Sequence, residues 1–218
     1  MKRLSIFSLE AVIRYSDEQL RSLFFPLFKE ISSIELKEDP APELRNIHHL
    51  LHFIFEKELK RAPSPAEIST YQKAFKKAVK KLYLSDEEAF EIRPGVQSLL
   101  GQLEKESKWK YGLVSDYWEE STEFILQSCG VFSKGKLTIN AENAKNRAEQ
   151  CELLKQRAQK DKTNISVQFI SLDKNPGFLS GEMQILRPKV ANKEANYYIF
   201  PKFSELFGVK KTKSRKSV

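Results

Sequence analysis

Beyond Arg93-Pro94-Gly95 the chain alternates short apolar, β-branched runs with helical stretches, and this constrains the fold more than any other feature. The runs are KYGLV at 110–114, LTI at 137–139, SVQFISL at 166–172, residues 183–186 and YYIF at 197–200. Between them, apolar spacing predicts helices over 96–107, 119–129 and 144–160, the second ended by Gly130 as a C′ glycine. Strands joined by helices of about ten to fifteen residues imply βαβ units and a parallel sheet. An earlier apolar run, LSIFSLEAVI at 4–13, reads as a short buried strand followed by a loop. The fold class is therefore α/β.

Between that first strand and the alternation, residues 17–88 follow helical periodicity. Ser16 and Asp17 can cap a helix over 17–34, with Leu20, Leu23, Phe24, Leu27, Phe28 and Ile31 as its apolar stripe. Asp39-Pro-Ala-Pro42 breaks it. A second helix over 43–60 places Ile47, Leu50, Leu51, Ile54, Phe55 and Leu59 on one face. Ser64, Pro65 and Glu67 form a capping-box signature that opens a third helix to about Leu84, with Lys76, Lys77, Lys80 and Lys81 outside. Ser85 then caps an acidic segment at 86–88. A helical insert thus follows the first strand.

Fifteen Phe, seven Tyr and 40% hydrophobic residues exclude a disordered chain, and 218 residues suffice for a sizeable core. The net charge of +8 is concentrated at one end. The last nine residues hold five Lys and Arg and no acid, and removing them leaves +3. That makes 210–218 a basic flexible tail and gives nucleic acid little to bind. MKRLSIFSLEAVIRY resembles a signal peptide, but Glu10 interrupts its apolar run and no small-residue cleavage site follows. No apolar stretch approaches the length of a membrane span. Cys129 and Cys151 sit in ordinary helix or core contexts and make no metal-ligand spacing. Together these point to a cytoplasmic protein with no membrane partner.

Ligands of open parallel sheets sit beyond the strands' carboxyl ends. The residues to inspect there are Ser8, Leu9 and Glu10, then Ser115 and Asp116, then Asp173, Lys174 and Asn175. The segments MKRLSIFSLEAVI, IRPGVQSLLGQL, YGLVSDYWEES, VQFISLDKNPG and ANYYIFPKFSELF occur in an order that resembles the haloacid-dehalogenase-like phosphatases. The similarity is to the branch with a helical cap, which includes phosphoglycolate phosphatases and β-phosphoglucomutases. It covers nearly the whole chain, with 21 residues from Pro94 to Ser115 and 58 from Ser115 to Asp173. The resemblance implies a Rossmann-like parallel core, residues 1–14 plus 91–209, with an all-helical cap inserted after the first strand at 15–90.

The resemblance also implies a chemistry. An aspartate ending the first strand attacks phosphorus, a second aspartate two residues on serves as acid and base, and Mg²⁺ assists. Those positions are Ser8 and Glu10 here. Serine offers a hydroxyl of high pKa with no neighbouring base in sequence, and it removes a carboxylate that Mg²⁺ prefers. Ser115 fits the second motif, which binds the phosphoryl oxygen together with Asp116; equally, a serine ending a strand caps the next turn. The third motif calls for a lysine, and spacing points to Ala148, with Lys145 or Arg147 as stand-ins or as a solvated helix face. Asp173 and Glu10 remain as weak metal ligands, while Leu172 and Gly177 stand where acidic companions are expected. A degenerate site of this kind suits a pseudophosphatase, a module for a small phosphorylated ligand or a protein partner. The alternative is a divergent phosphate-monoester hydrolase using Glu10, Ser115, Asp173 and Lys145.

Two further features are noted in the insert. His48 and His52 lie four apart, a metal-compatible spacing with no third ligand, and read better as half-buried helix positions beside His49. Arg14 and Tyr15, where the chain leaves the core, suit substrate contact or hinge packing equally.

Overall fold

The computed structural model describes residues 2–14, 17–86, 90–131, 137–159, 165–170, 184–186, 189–192 and 197–199. Strand β1 (Lys2–Ser8) leads into a single helical turn, α1 (Leu9–Val12), where the sequence suggested a loop. Strands β2 (Trp109–Val114), β3 (Leu137–Ile139), β4 (Ile165–Ile170) and β5 (Gln184–Leu186) join β1 in one sheet of order β3-β2-β1-β4-β5. Every pairing in it is parallel. Chain order runs outward from β1 in both directions, so the topological switch lies between β1 and β4, where a parallel sheet opens a crevice.

Side chains alternate across β1. Leu4 and Ile6 meet Cys151, Leu154 and Ala158 of α8 (Arg147–Ala158) on one face of the sheet. Phe7 joins a larger cluster on the opposite face, with α6 (Val96–Lys105) and α7 (Glu119–Ser128). Gly112 of β2 is a packing requirement, because a Cβ there would lie 2.7 Å from the Leu137 carbonyl oxygen and 2.8 Å from a Leu154 methyl. Residues β6 (Lys189–Asn192) and β7 (Tyr197–Ile199) form a separate antiparallel ribbon. The last apolar run thus pairs outside the main sheet, against a strand that periodicity missed.

The insert holds α2 (Asp17–Ser22), α3 (Phe24–Ser32), α4 (Ile47–Ile54) and α5 (Pro65–Ser85). The single helix expected over 17–34 is broken at Leu23, because Pro26 denies an amide to the preceding turn and restarts the helix as α3. The second helix begins later than periodicity suggested, since Asn46 accepts from the amides of His48 and His49 and so caps it. It then passes into a π-helical turn at Phe55–Leu59. The capping box of Ser64 and Glu67 forms as read.

Lys76 does not lie on an open face: its Nζ pairs with Glu120 of α7 at 2.7 Å. The segments leaving and re-entering the sheet also pair with each other. Ile13 bridges Ile92 antiparallel, and buried Arg93 donates to the carbonyls of Glu10 and Arg14. Arg14 is paired there with Glu91; Tyr15 lies outside the described residues. The apolar cluster runs without a break from Phe7 through Trp118 to Phe28 and Phe55. No helix among the described residues is long and apolar enough to cross a membrane.

Candidate functional site

The parallel register sets the carboxyl ends of three strands side by side, with Ser8 opposite Val114 and Phe7 opposite Ile170. Ser8 is fully buried, and its Oγ donates to the Ile170 carbonyl at 3.3 Å. Turn α1 then carries Glu10 inward, leaving it 7% exposed. Across the crevice, Asp116 follows β2 and is 3% exposed. Between these two carboxylates lies Arg147, the first residue of α8, 8% exposed. Its Nη2 pairs with Asp116 Oδ2 and lies 3.6 Å from Glu10 Oε2, while Nη1 donates to the Val114 carbonyl at 3.1 Å.

This is a buried acid–base–acid cluster. Burial pushes the Asp116 carboxyl above its ordinary range, and the negative charge of Glu10 adds to that push. Arg147 and Arg45 pull in the opposite direction. A cavity of about 220 Å³ opens beside the cluster, lined among others by Arg45, Asn46, Asp116, Lys145, Asn146 and Arg147. Two of its cationic residues, Arg45 and Lys145, are exposed. Asn46 holds the insert to the sheet domain here, because its Nδ2 donates to the carbonyls of Ala141 and Ala144, both at 2.9 Å.

Ser115 is fully buried with its hydroxyl engaged. Its Oγ lies 2.8 Å from Thr122 Oγ1 and accepts from the Tyr117 amide at 3.2 Å, so the strand-end serine caps the turn that follows. Gln150 of α8 donates to the Ser115 carbonyl at 2.8 Å, locking the same loop from below.

No protein-family profile and no curated protein matches this chain. Among solved structures, similarity extends to CbbY from Rhodobacter sphaeroides in complex with xylulose-(1,5)bisphosphate. The two share 13% identity over 85% of this chain and 94% of that one, with a TM-score of 0.59. A hydrolase from Pseudomonas syringae is 13% identical over 78% of this chain and 76% of its own, with a TM-score of 0.54. β-Phosphoglucomutase from Clostridium difficile is 19% identical over 78% of this chain and 76% of its own, with a TM-score of 0.52. The chain has the haloacid-dehalogenase-like fold.

Against that fold, the resemblance assigned a nucleophile to the end of β1 and an acid two residues later. The structure brings Ser8, Glu10, Asp116 and Arg147 together there, while Ser115 lies just beneath with its hydroxyl turned into its own loop. Arg147 is not a solvated helix position: the tertiary fold buries it. Lys145 is exposed at the cavity's edge, and its backbone amide donates to Glu149 Oε2 at 2.8 Å. Ala148, where spacing put the third motif, is half-buried on the next position of α8. Asp173, Leu172, Lys174, Asn175 and Gly177 lie outside the described residues, as does the basic tail 210–218.

Of the two oxygen ligands considered for Mg²⁺, only Glu10 is described. Its carboxylate faces the Arg147 guanidinium, which would repel a dication. No three His, Cys, Asp or Glu side chains among the described residues form a set able to hold a metal. Cys151, buried in the core, and Cys129, half-buried against it, are both unbridged, and burial pushes each thiol up to about 12, well away from the reactive thiolate.

The histidines of α4 pack against the sheet domain. His48 and His52 have ring centroids 4.8 Å apart, and Trp118 Nε1 donates to His48 Nδ1 at 3.3 Å. Burial, then the neighbouring His52 and His49, lower the His48 pKa to about 4. A histidine held neutral in this way contributes stability above its ordinary value of 6.5, and that contribution is lost as pH falls from 6.5 toward 4. Because the ring is only half-buried, the loss expected from His48 is about 1 kcal/mol. Urea unfolding across that window should show it. His48→Gln, which can still accept from Trp118, should flatten the slope, and an unchanged slope would assign it to other groups.

Proposed function

We propose that this haloacid-dehalogenase-like chain is a pseudophosphatase that binds a small phosphorylated ligand, or a protein partner, without hydrolysing a phosphate ester. In this reading 15–90 acts as a cap over a core of 1–14 and 91–209, with 210–218 as a basic flexible tail. The observation that carries it is the Glu10–Arg147–Asp116 cluster beside Ser8. The covalent phosphoryl transfer that the resemblance implies uses a free carboxylate as the nucleophile toward phosphorus. At the end of β1 stands instead a hydroxyl donating to a carbonyl, with no base bonded to it among the described residues. Glu10, the remaining candidate acid and base, is drawn toward a guanidinium that also pairs with Asp116.

What the site retains is positive potential around a cavity sized for a phosphate group. Arg45 and Lys145 supply the charge from its exposed rim, Asp116 and Arg147 line it, and Ser115 braces the loop that carries Asp116. Mg²⁺ would be held weakly, because Glu10 and Asp173 alone give it few hard anionic ligands. The unbridged thiols suit a reducing, cytoplasmic setting.

The test combines turnover and binding on the full chain. p-Nitrophenyl phosphate with Mg²⁺ is expected to give no turnover above buffer. Titration calorimetry with inorganic phosphate is expected to give weak, saturable binding that Arg45→Ala and Lys145→Ala each reduce. Mg²⁺-dependent turnover abolished by Asp173→Asn would establish the alternative, a divergent phosphate-monoester hydrolase. Turnover that survives Ser8→Ala would place the nucleophile elsewhere.

A further inference from the structure

A groove of about 900 Å³ runs between α3 and α5. Its apolar floor is built from Leu23, Pro26 and Leu27 on one wall and Ala74, Ala78 and Leu84 on the other. Leu84 is 81% exposed, far more than Phe53, the other large hydrophobic side chain exposed among the described residues. Small Ala74 and Ala78, one helical turn apart, let another backbone come close. Lys77 and Lys81 rise along the α5 wall, Lys80 stands at its edge with its Nζ 5.5 Å from the Phe124 ring of α7, and Glu30 is the one acid lining the groove among the described residues.

We propose that this groove docks an acidic amphipathic helix of a partner protein. Its geometry is that of a helix-in-groove site, in which apolar anchors at helical spacing fill a trough. From Ala74 to Leu84 the wall is about 15 Å long at 1.5 Å per residue, which accommodates about three helical turns. Charge selects the occupant. Among the described lining residues Lys77 and Lys81 outnumber Glu30, which favours acidic flanks on the incoming helix. The same excess opposes a second copy docking through this face, since twofold pairing would set lysine walls against each other. It likewise opposes the chain's own C-terminal segment, whose Lys210, Lys211, Lys213, Arg215 and Lys216 carry the same sign. A concave apolar floor also fits a helix better than a flat anionic bilayer.

The test uses the full-length protein and a fluorescein-labelled peptide of about twelve residues, with leucines at i, i+3, i+7 and i+10 and glutamates between them. Saturable binding is expected at about 10–100 µM, weakening several-fold as salt is raised. The exposed double reversal Lys77→Glu/Lys81→Glu should weaken it at least about tenfold with unchanged circular dichroism, and a lysine-for-glutamate peptide should not bind. Several outcomes overturn the proposal. They are no peptide binding, equal binding by the reversed variant, sedimentation as a dimer that the reversal dissolves, or binding to phosphatidylserine vesicles in preference to the peptide.

Discussion

Replacing Arg147 with methionine is expected to destabilise the protein by about 3–5 kcal/mol near neutral pH, the range for breaking a buried ion pair from one side. The substitution keeps the apolar volume of the stem but removes the guanidinium. Asp116 and Glu10, 3% and 7% exposed, would then be two carboxylates facing each other without a cation between them. Burial already raises the Asp116 pKa in the intact protein. A carboxyl raised in this way favours the folded state most below its ordinary value of 3.8, and that contribution is lost as pH rises through the folded value. Without Arg147 the rise is larger, so the deficit of the variant should shrink as the solution is acidified. Urea unfolding at several pH values checks both parts. A deficit within about 0.5 kcal/mol at every pH would show that the cluster is solvated. Arg147→Lys should fall in between, because an ammonium restores charge without the two-pronged contact to Asp116 and Val114.

Trp118→Ala is expected to cost a similar amount, about 3–5 kcal/mol, for a different reason. The indole is 1% exposed, with its ring centroid 5.6 Å from Phe75 of α5 and 6.4 Å from Phe24 of α3. Its Nε1 reaches His48 of α4. One side chain preceding α7 therefore touches three helices of the insert. Trp118→Phe should cost about 1–2 kcal/mol, since most of the packing survives and mainly the hydrogen bond is lost. The shared apolar cluster implies that the insert and the sheet domain unfold together in the wild type. Two separate transitions in the wild type would contradict that coupling, and their appearance only in Trp118→Ala would locate it at this ring.

The contrast between these residues shows what could be read from sequence. Trp118 and its aromatic neighbours are legible as core, because apolar surface is driven inward wherever it occurs. Arg147 was not. Helix α8 reads RAEQCELLKQRA, and its buried stripe is Arg147, Gln150, Cys151, Leu154 and Ala158, two of the five being polar. Periodicity sees a polar helix. Only the sheet beneath it, offering the Val114 and Ser115 carbonyls and the Asp116 carboxylate, makes burial of Arg147 and Gln150 tolerable. Asn46 escaped notice likewise, since its four hydrogen bonds join amides two and three residues away to carbonyls 95 and 98 residues away.

From sequence alone came the elements whose causes are local. The capping box of Ser64 and Glu67, the stop at Gly130, the βα alternation after Gly95 and the absence of a carboxylate at Ser8 all follow from neighbouring residues. The tertiary structure decided what depends on distant partners. It set the strand order around β1 and closed Arg147 between Glu10 and Asp116. The physical reason is that side-chain charge and hydrogen bonding take their meaning from what is buried beside them, whereas backbone caps and apolar periodicity act within a few residues of the chain.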